Sequence, residues 1–84
     1  MIWIAGREYG TAAEVAAALS SPERPVTAVL VRRWAQRAAT PGDRLYGLLT
    51  RRHVPGPRTG TTWYDVDQAA EVEALVRPHA SSLT

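Results

Sequence analysis

The stretch Thr11-Ala12-Ala13-Glu14 constrains this chain more than any other. It has the Ser/Thr-x-x-Asp/Glu form of a capping box, in which the threonine oxygen accepts from the amide three residues on and the carboxylate reaches back. Ala12, Val15, Ala16 and Leu19 then recur at helical spacing, which predicts a helix over about residues 12–19. The inward side of that helix is alanine-rich, so another helix can approach it closely. Ser20-Ser21-Pro22-Glu23-Arg24-Pro25 stops it and makes a turn.

Val26-Thr27 opens a second helix, with Thr27 as its N-cap. At about 100° per residue, Val31, Trp34 and Ala38 fall on one side. Val29, Arg32, Arg33 and Gln36 fall on the other, with Ala28 and Arg37 at the margins. An apolar stripe packed inward therefore turns arginines and one amide outward. Thr40-Pro41-Gly42-Asp43 ends this helix.

The remaining segments are shorter. Ile2-Trp3-Ile4 reads as a brief strand or a hydrophobic strap, with loose backbone at Gly6 and Gly10. Leu45, Leu48 and Leu49 are expected in the core. Residues 49–54 and 61–64 form a β-hairpin with a basic arm and Arg58 at its tip, the loop stiffened by Pro55 and Pro57. Asp65 caps a last helix, with Gln68 as a weaker capping-box partner. Pro78 ends it, and residues 79–84 are expected to fray.

Composition excludes several classes. With 84 residues the chain has one modest core and no room for a second domain or a large buried active site, so residues 1–84 are expected to be a single domain. There is no cysteine, which removes disulfides, cysteine-ligated zinc and a cysteine nucleophile. His53 and His79 cannot make a metal site alone. No nucleophile–base pairing or glycine-rich phosphate loop is visible, so no enzymatic activity, cofactor or metal is expected. No run approaches a membrane span, and the opening residues lack the form of a signal peptide, so the cytoplasm is the expected location.

The charge map is more pointed than the net charge of +2. Residues 24–58 hold eight of the ten basic residues, all arginine, against Asp43 alone, and the flanks on both sides are acidic. A basic middle of this kind fits one surface built for a polyanion.

The order of these pieces resembles the winged helix-turn-helix of the MerR superfamily, in particular its small excisionase-like members. The matching residues are Thr11 to Ala16 with Leu19, Val26-Thr27, Val31-Arg32-Arg33-Trp34-Ala35, Gly47-Leu48-Leu49 and Trp63-Tyr64-Asp65. The resemblance spans roughly residues 9–76. It implies an α+β, mainly α fold: a winged helix-turn-helix of three helices with a two-stranded β-hairpin wing and a short N-terminal strand. It further implies a recognition helix, about residues 27–38, in the major groove of double-stranded DNA. The wing, about residues 49–64, would lie on the backbone or minor groove. Tyr64 matches a wing tyrosine that hydrogen-bonds phosphate. The sequence departs from the pattern in a longer link over residues 40–46 and in the apolar Ala28-Val29-Leu30. It carries no counterpart of the family's dimerisation coiled coil or effector domain.

The expected DNA contacts are Thr27, Val29, Arg32, Arg33, Gln36 and Arg37 on the helix and Arg51, Arg52, Arg58 and Tyr64 on the wing. Guanidinium groups suit both phosphates and guanine edges, and an amide suits adenine. Strand alternation sends Arg51 and Arg52 to opposite faces. The expected role is transcriptional control or an excisionase-like architectural part on the nucleoid, with further copies of the chain as possible partners on DNA. The competing expectation is a protein-interaction module that uses Ile2-Trp3-Ile4 or the arginine face.

Overall fold

The computed structural model describes residues 1–58 and 60–76. The expected frayed tail at 79–84 lies outside the described residues. The chain runs β1 (Ile2–Ile4), β2 (Arg7–Gly10), α1 (Ala12–Leu19), α2 (Ala28–Ala38), β3 (Arg51–Val54), β4 (Thr61–Asp65) and α3 (Val66–Val76). The strands make one antiparallel sheet in the order β1-β2-β4-β3.

This is a small α+β fold with a larger sheet than the sequence predicts, and it is not clearly mainly α. The expectation of loose backbone around Gly6 and Gly10 is overturned by β2. Ile4 pairs with Arg7 across a two-residue turn in which Ala5 (φ 52°) and Gly6 (φ 80°) are both left-handed. Two left-handed central residues are the pattern of a type I′ turn, whose twist matches that of the flanking strands. Tyr9 then pairs with Asp65 and Gly10 with Tyr64, so β2 joins the N-terminal hairpin to β4.

Both halves of the α1 capping box form. The Glu14 amide donates to Thr11 Oγ1 at 3.2 Å, and the Thr11 amide donates to Glu14 Oε1 at 3.0 Å. Ala12, Val15 and Ala16 are buried, and their small volume lets α1 pack on α2. The turn between them is held by its own serines: Ser20 Oγ accepts from the Val26 amide at 3.0 Å and Ser21 Oγ from the Arg24 amide at 3.1 Å. Thr27 Oγ1 caps α2 by accepting from the Leu30 amide at 3.2 Å. The exit of α2 is closed by Gly47, whose amide donates to the Ala38 carbonyl at 2.8 Å.

One apolar cluster unites Val15, Val31, Trp34, Ala38, Leu45, Leu49, Tyr64, Ala69 and Val72 with their neighbours. Leu48, expected in the core, is exposed instead. Its amide donates to the Leu45 carbonyl at 2.9 Å, and this single turn leaves room inward only for Leu45 and Leu49. Asp65 Oδ1 caps α3 by accepting from the Gln68 amide at 3.0 Å. The Gln68 side chain does not return to that cap; its Oε1 accepts from the Thr50 amide at 2.6 Å and ties the start of β3 to α3.

Candidate nucleic-acid interface

The outward face of α2 is set by what its inward face buries. Val31 is fully buried and Trp34 is 2% exposed. A helix whose side chains turn by about 100° per residue must then present Val29, Arg32, Arg33 and Gln36 to solvent, and all four are exposed. Among the described residues, no carboxylate forms an ion pair with Arg32 or Arg33. Their guanidinium groups keep their full set of donors for an outside acceptor.

Two residues expected on this face have internal partners. Arg37 is half-buried, and its Nε donates to Asp43 Oδ2 at 3.0 Å and to Oδ1 at 3.3 Å. Asp43 also accepts from the Leu45 amide at 2.9 Å. The Arg37 hydrogen bond, aided by that amide, holds the Asp43 carboxyl below its ordinary range despite some desolvation. This pair closes the turn after α2. Thr27 is exposed, but its hydroxyl oxygen serves as the helix cap.

In the β3–β4 hairpin Arg51 pairs with Tyr64 and Arg52 with Trp63, so the two arginines sit on opposite faces of the sheet. Arg52 lies over the Tyr9 ring, 5.7 Å from its centroid. Arg51 is on the Tyr64 side and exposed. Arg58 is exposed in the connecting loop. That loop closes at Gly60 (φ 75°), where a Cβ would meet the Val54 carbonyl oxygen at 2.4 Å. His53 Nδ1 and Thr62 Oγ1 are hydrogen-bonded at 2.9 Å across the two strands.

Between the start of α1, Arg32 of α2 and the hairpin lies an open cleft of about 380 Å³, lined by Thr11, Ala12, Ala13, Arg32, Thr62 and Tyr64 among others. The Tyr64 ring belongs to the apolar core and is only 5% exposed. Arg32 is thus brought beside the start of α1, a neighbour that sequence reading did not give it. The capping box locates that helix start; only the packing of α1 on α2 places it against Arg32 and β4.

The apolar N-terminal strand shows a different kind of surface. Trp3 is 70% exposed, on the opposite face of β1 from the half-buried Ile2 and Ile4. Among the described residues no helix is long and apolar enough to cross a membrane. A scan against protein-family models, a search of curated proteins and a search of solved structures each found no match for this chain.

Proposed function

We propose that this chain is a winged helix-turn-helix domain that binds double-stranded DNA with sequence preference. In this reading α2, with its cap at Thr27, is the recognition helix in the major groove. The β3–β4 hairpin is the wing, on the backbone or minor groove. The observation that carries it is the α2 face: Arg32 and Arg33 stand outward without an acidic partner among the described residues, on a helix anchored by buried Val31 and Trp34. Arginine can bond guanine O6 and N7 bidentately, Gln36 can bond adenine, and the 61% exposed Val29 can meet a thymine methyl. The concentration of arginine in residues 24–58 supports the same ligand.

One helix of this length reads only a few base pairs, so useful specificity calls for several copies on one site. The role that fits is transcriptional control, or an architectural part in recombination, on the nucleoid. Duplex mobility shifts test the reading. Binding should weaken steeply with salt as phosphate counterions are released. The Arg32→Ala/Arg33→Ala double variant should lose the shift while keeping the wild-type circular dichroism and melting profile. A double variant that shifts duplex normally sinks the assignment of α2.

A second reading is favoured by one observation, the 70% exposure of Trp3 on a strand whose outer edge pairs with no other strand among the described residues. A protein-interaction module would use that edge. Wild-type protein that binds no duplex at low salt leaves this second reading in possession.

A further inference from the structure

We propose that Gln68 is the positioning residue of the wing: its side chain holds the residue at which the β3–β4 hairpin leaves the core, and so sets where the arginines of that hairpin stand. The proposal rests on the DNA reading above and deepens it, by naming what fixes the second contact surface relative to α2.

The hairpin does little to fix its own direction. Every residue of β3 is exposed, so no side chain of that strand enters the core. β3 is also the last strand of the sheet, and among the described residues it pairs with β4 alone. The nearest inward anchor is Leu49, 6% exposed, two residues before the strand. Between Leu49 and β3 stands Thr50, and both of its main-chain polar groups are engaged at the start of α3. Its carbonyl accepts from the Asp65 amide at 3.2 Å, and its amide donates to Gln68 Oε1 at 2.6 Å.

The Gln68 bond is not the one that its position calls for. A glutamine three residues after a helix cap ordinarily turns back to the amide of the capping residue. Here the Asp65 amide is taken by the Thr50 carbonyl, and the Gln68 side chain reaches instead to the amide of that same threonine. The glutamine is itself braced. Its own amide donates to Asp65 Oδ1 at 3.0 Å, Asp65 Oδ2 is paired with Arg7, and the next residue, Ala69, is fully buried. A braced acceptor on the helix therefore grips the root of the strand.

The root matters because the hairpin is a lever. A strand rises about 3.3 Å per residue, so the loop bearing Arg58 stands roughly 15–20 Å from Thr50, and a swing of about 15° at the root moves it by roughly 4–5 Å. That exceeds the length of a hydrogen bond. Without the Gln68 bond, phosphate contacts by Arg51 and Arg58 are lost or displaced, whereas the α2 face, set by buried Val31 and Trp34, stays where it is.

The test uses two variants. Gln68→Met keeps the length and helix preference of the side chain and removes the acceptor; Gln68→Glu keeps an acceptor oxygen. Thr50 is exposed, so the amide released in Gln68→Met meets water and the melting profile should stay close to wild type. Residual dipolar couplings of the free protein read the orientation of the hairpin against α1 and α2. Gln68→Met should change or average the couplings of residues 51–54 and 61–63 and leave those of the helices, and Gln68→Glu should restore the wild-type values. Duplex binding over a range of salt reads the consequence. Gln68→Met should bind about tenfold more weakly, with a salt slope lower by about one to two phosphates and base preference unchanged. Adding Arg58→Ala to Gln68→Met should then cost less than Arg58→Ala costs in wild type. Unchanged couplings in Gln68→Met overturn the proposal. So do changed couplings with wild-type affinity and salt slope, and in that case the DNA reading stands. If wild type binds no duplex, the DNA reading falls, while couplings that change in Gln68→Met and recover in Gln68→Glu keep Gln68 as the residue that orients the hairpin.

Discussion

Arg7 and Asp65 are joined by an ion pair in which Arg7 Nε donates to Asp65 Oδ2 at 2.5 Å, bridging the N-terminal hairpin and the start of α3. The Arg7 side chain is half exposed, whereas that of Asp65 is 1% exposed. Asp65 Oδ1 meanwhile caps α3 through the Gln68 amide at 3.0 Å. One buried carboxylate thus satisfies a helix end and fastens β2, the strand that makes the sheet four-stranded.

Acid should undo that arrangement. Burial opposes ionisation of Asp65, but the Arg7 hydrogen bond and the Gln68 amide together outweigh it and hold the carboxyl below its ordinary range. Glu14, bonded by the Thr11 amide and the Met1 ammonium, is held low as well. A carboxyl whose folded pKa is depressed stabilises fully above its unfolded value, about 4, and that stability is lost as pH falls through the folded value. The melting temperature should therefore be flat from neutrality to about pH 5 and fall below about pH 4. Asp65→Asn keeps a cap oxygen and should flatten that fall, whereas Asp65→Ala loses cap and pair and should cost roughly 2 kcal/mol at pH 7. Urea melts of the two variants across pH check both statements. An Asp65→Asn protein with an unchanged acid slope counts against the role given to this carboxylate.

The two tryptophans at the extremes of exposure should behave oppositely. Trp34→Ala removes a large side chain from the centre of the cluster holding Val31 and Leu45, and such truncations cost about 3–5 kcal/mol. In a domain this small that is enough to unfold much of the population at room temperature. Trp3→Ser removes a residue 70% exposed and should change stability by no more than about 0.5 kcal/mol. Chemical denaturation followed by circular dichroism separates them.

Two backbone positions should respond in opposite directions to small changes. Gly60→Ala places a Cβ 2.4 Å from the Val54 carbonyl oxygen at a left-handed φ of 75°, so the hairpin loop cannot keep its path. Weakened amide protection over β3 and β4 is expected, with α1 and α2 little affected. Ala5→Asn should instead stabilise by roughly 0.5–1 kcal/mol, because asparagine tolerates the left-handed φ of 52° that Ala5 adopts ahead of Gly6. Hydrogen exchange reads the first change and thermal melts read the second.

The helices were legible because their signals are local. The capping box at Thr11, the cap at Thr27 and the stripe of Val31 and Trp34 all act within a turn or two of helix. The sheet was not. Arg7-Glu8-Tyr9-Gly10 shows no apolar alternation, and Ala5 hides a turn that an asparagine would have announced. What makes β2 a strand is its pairing with β1 across that hidden turn and, more than fifty residues away, with Tyr64 and Asp65. The same distance hides the Arg7–Asp65 pair. On the candidate interface, Arg32 and Arg33 followed from helical phase, but Arg37 did not, since the turn through Asp43 decides where its guanidinium goes. The core position of the Tyr64 ring depends on α1 and α3 closing over β4, which no spacing along the strand records.

The arginines of the hairpin should divide as the sheet divides them. Arg51 and Arg52 are neighbours in sequence, but the pairing of Arg51 with Tyr64 and of Arg52 with Trp63 puts them on opposite faces. Arg52 stacks over Tyr9, on the face that also bears Asp65, away from the cleft lined by Tyr64. If α2 and the cleft face a duplex, Arg51 is on the near side and Arg52 on the far side. Arg51→Ala should then weaken duplex binding several-fold and lower the salt slope by about one phosphate. Arg52→Ala should leave both unchanged, while Arg33→Ala and Gln36→Ala should relax preference at particular base pairs. Binding isotherms over a range of salt, with a panel of single-base variants of the preferred site, distinguish these patterns. Equal losses from Arg51→Ala and Arg52→Ala mean that the whole domain acts as a diffuse cation and not through one face.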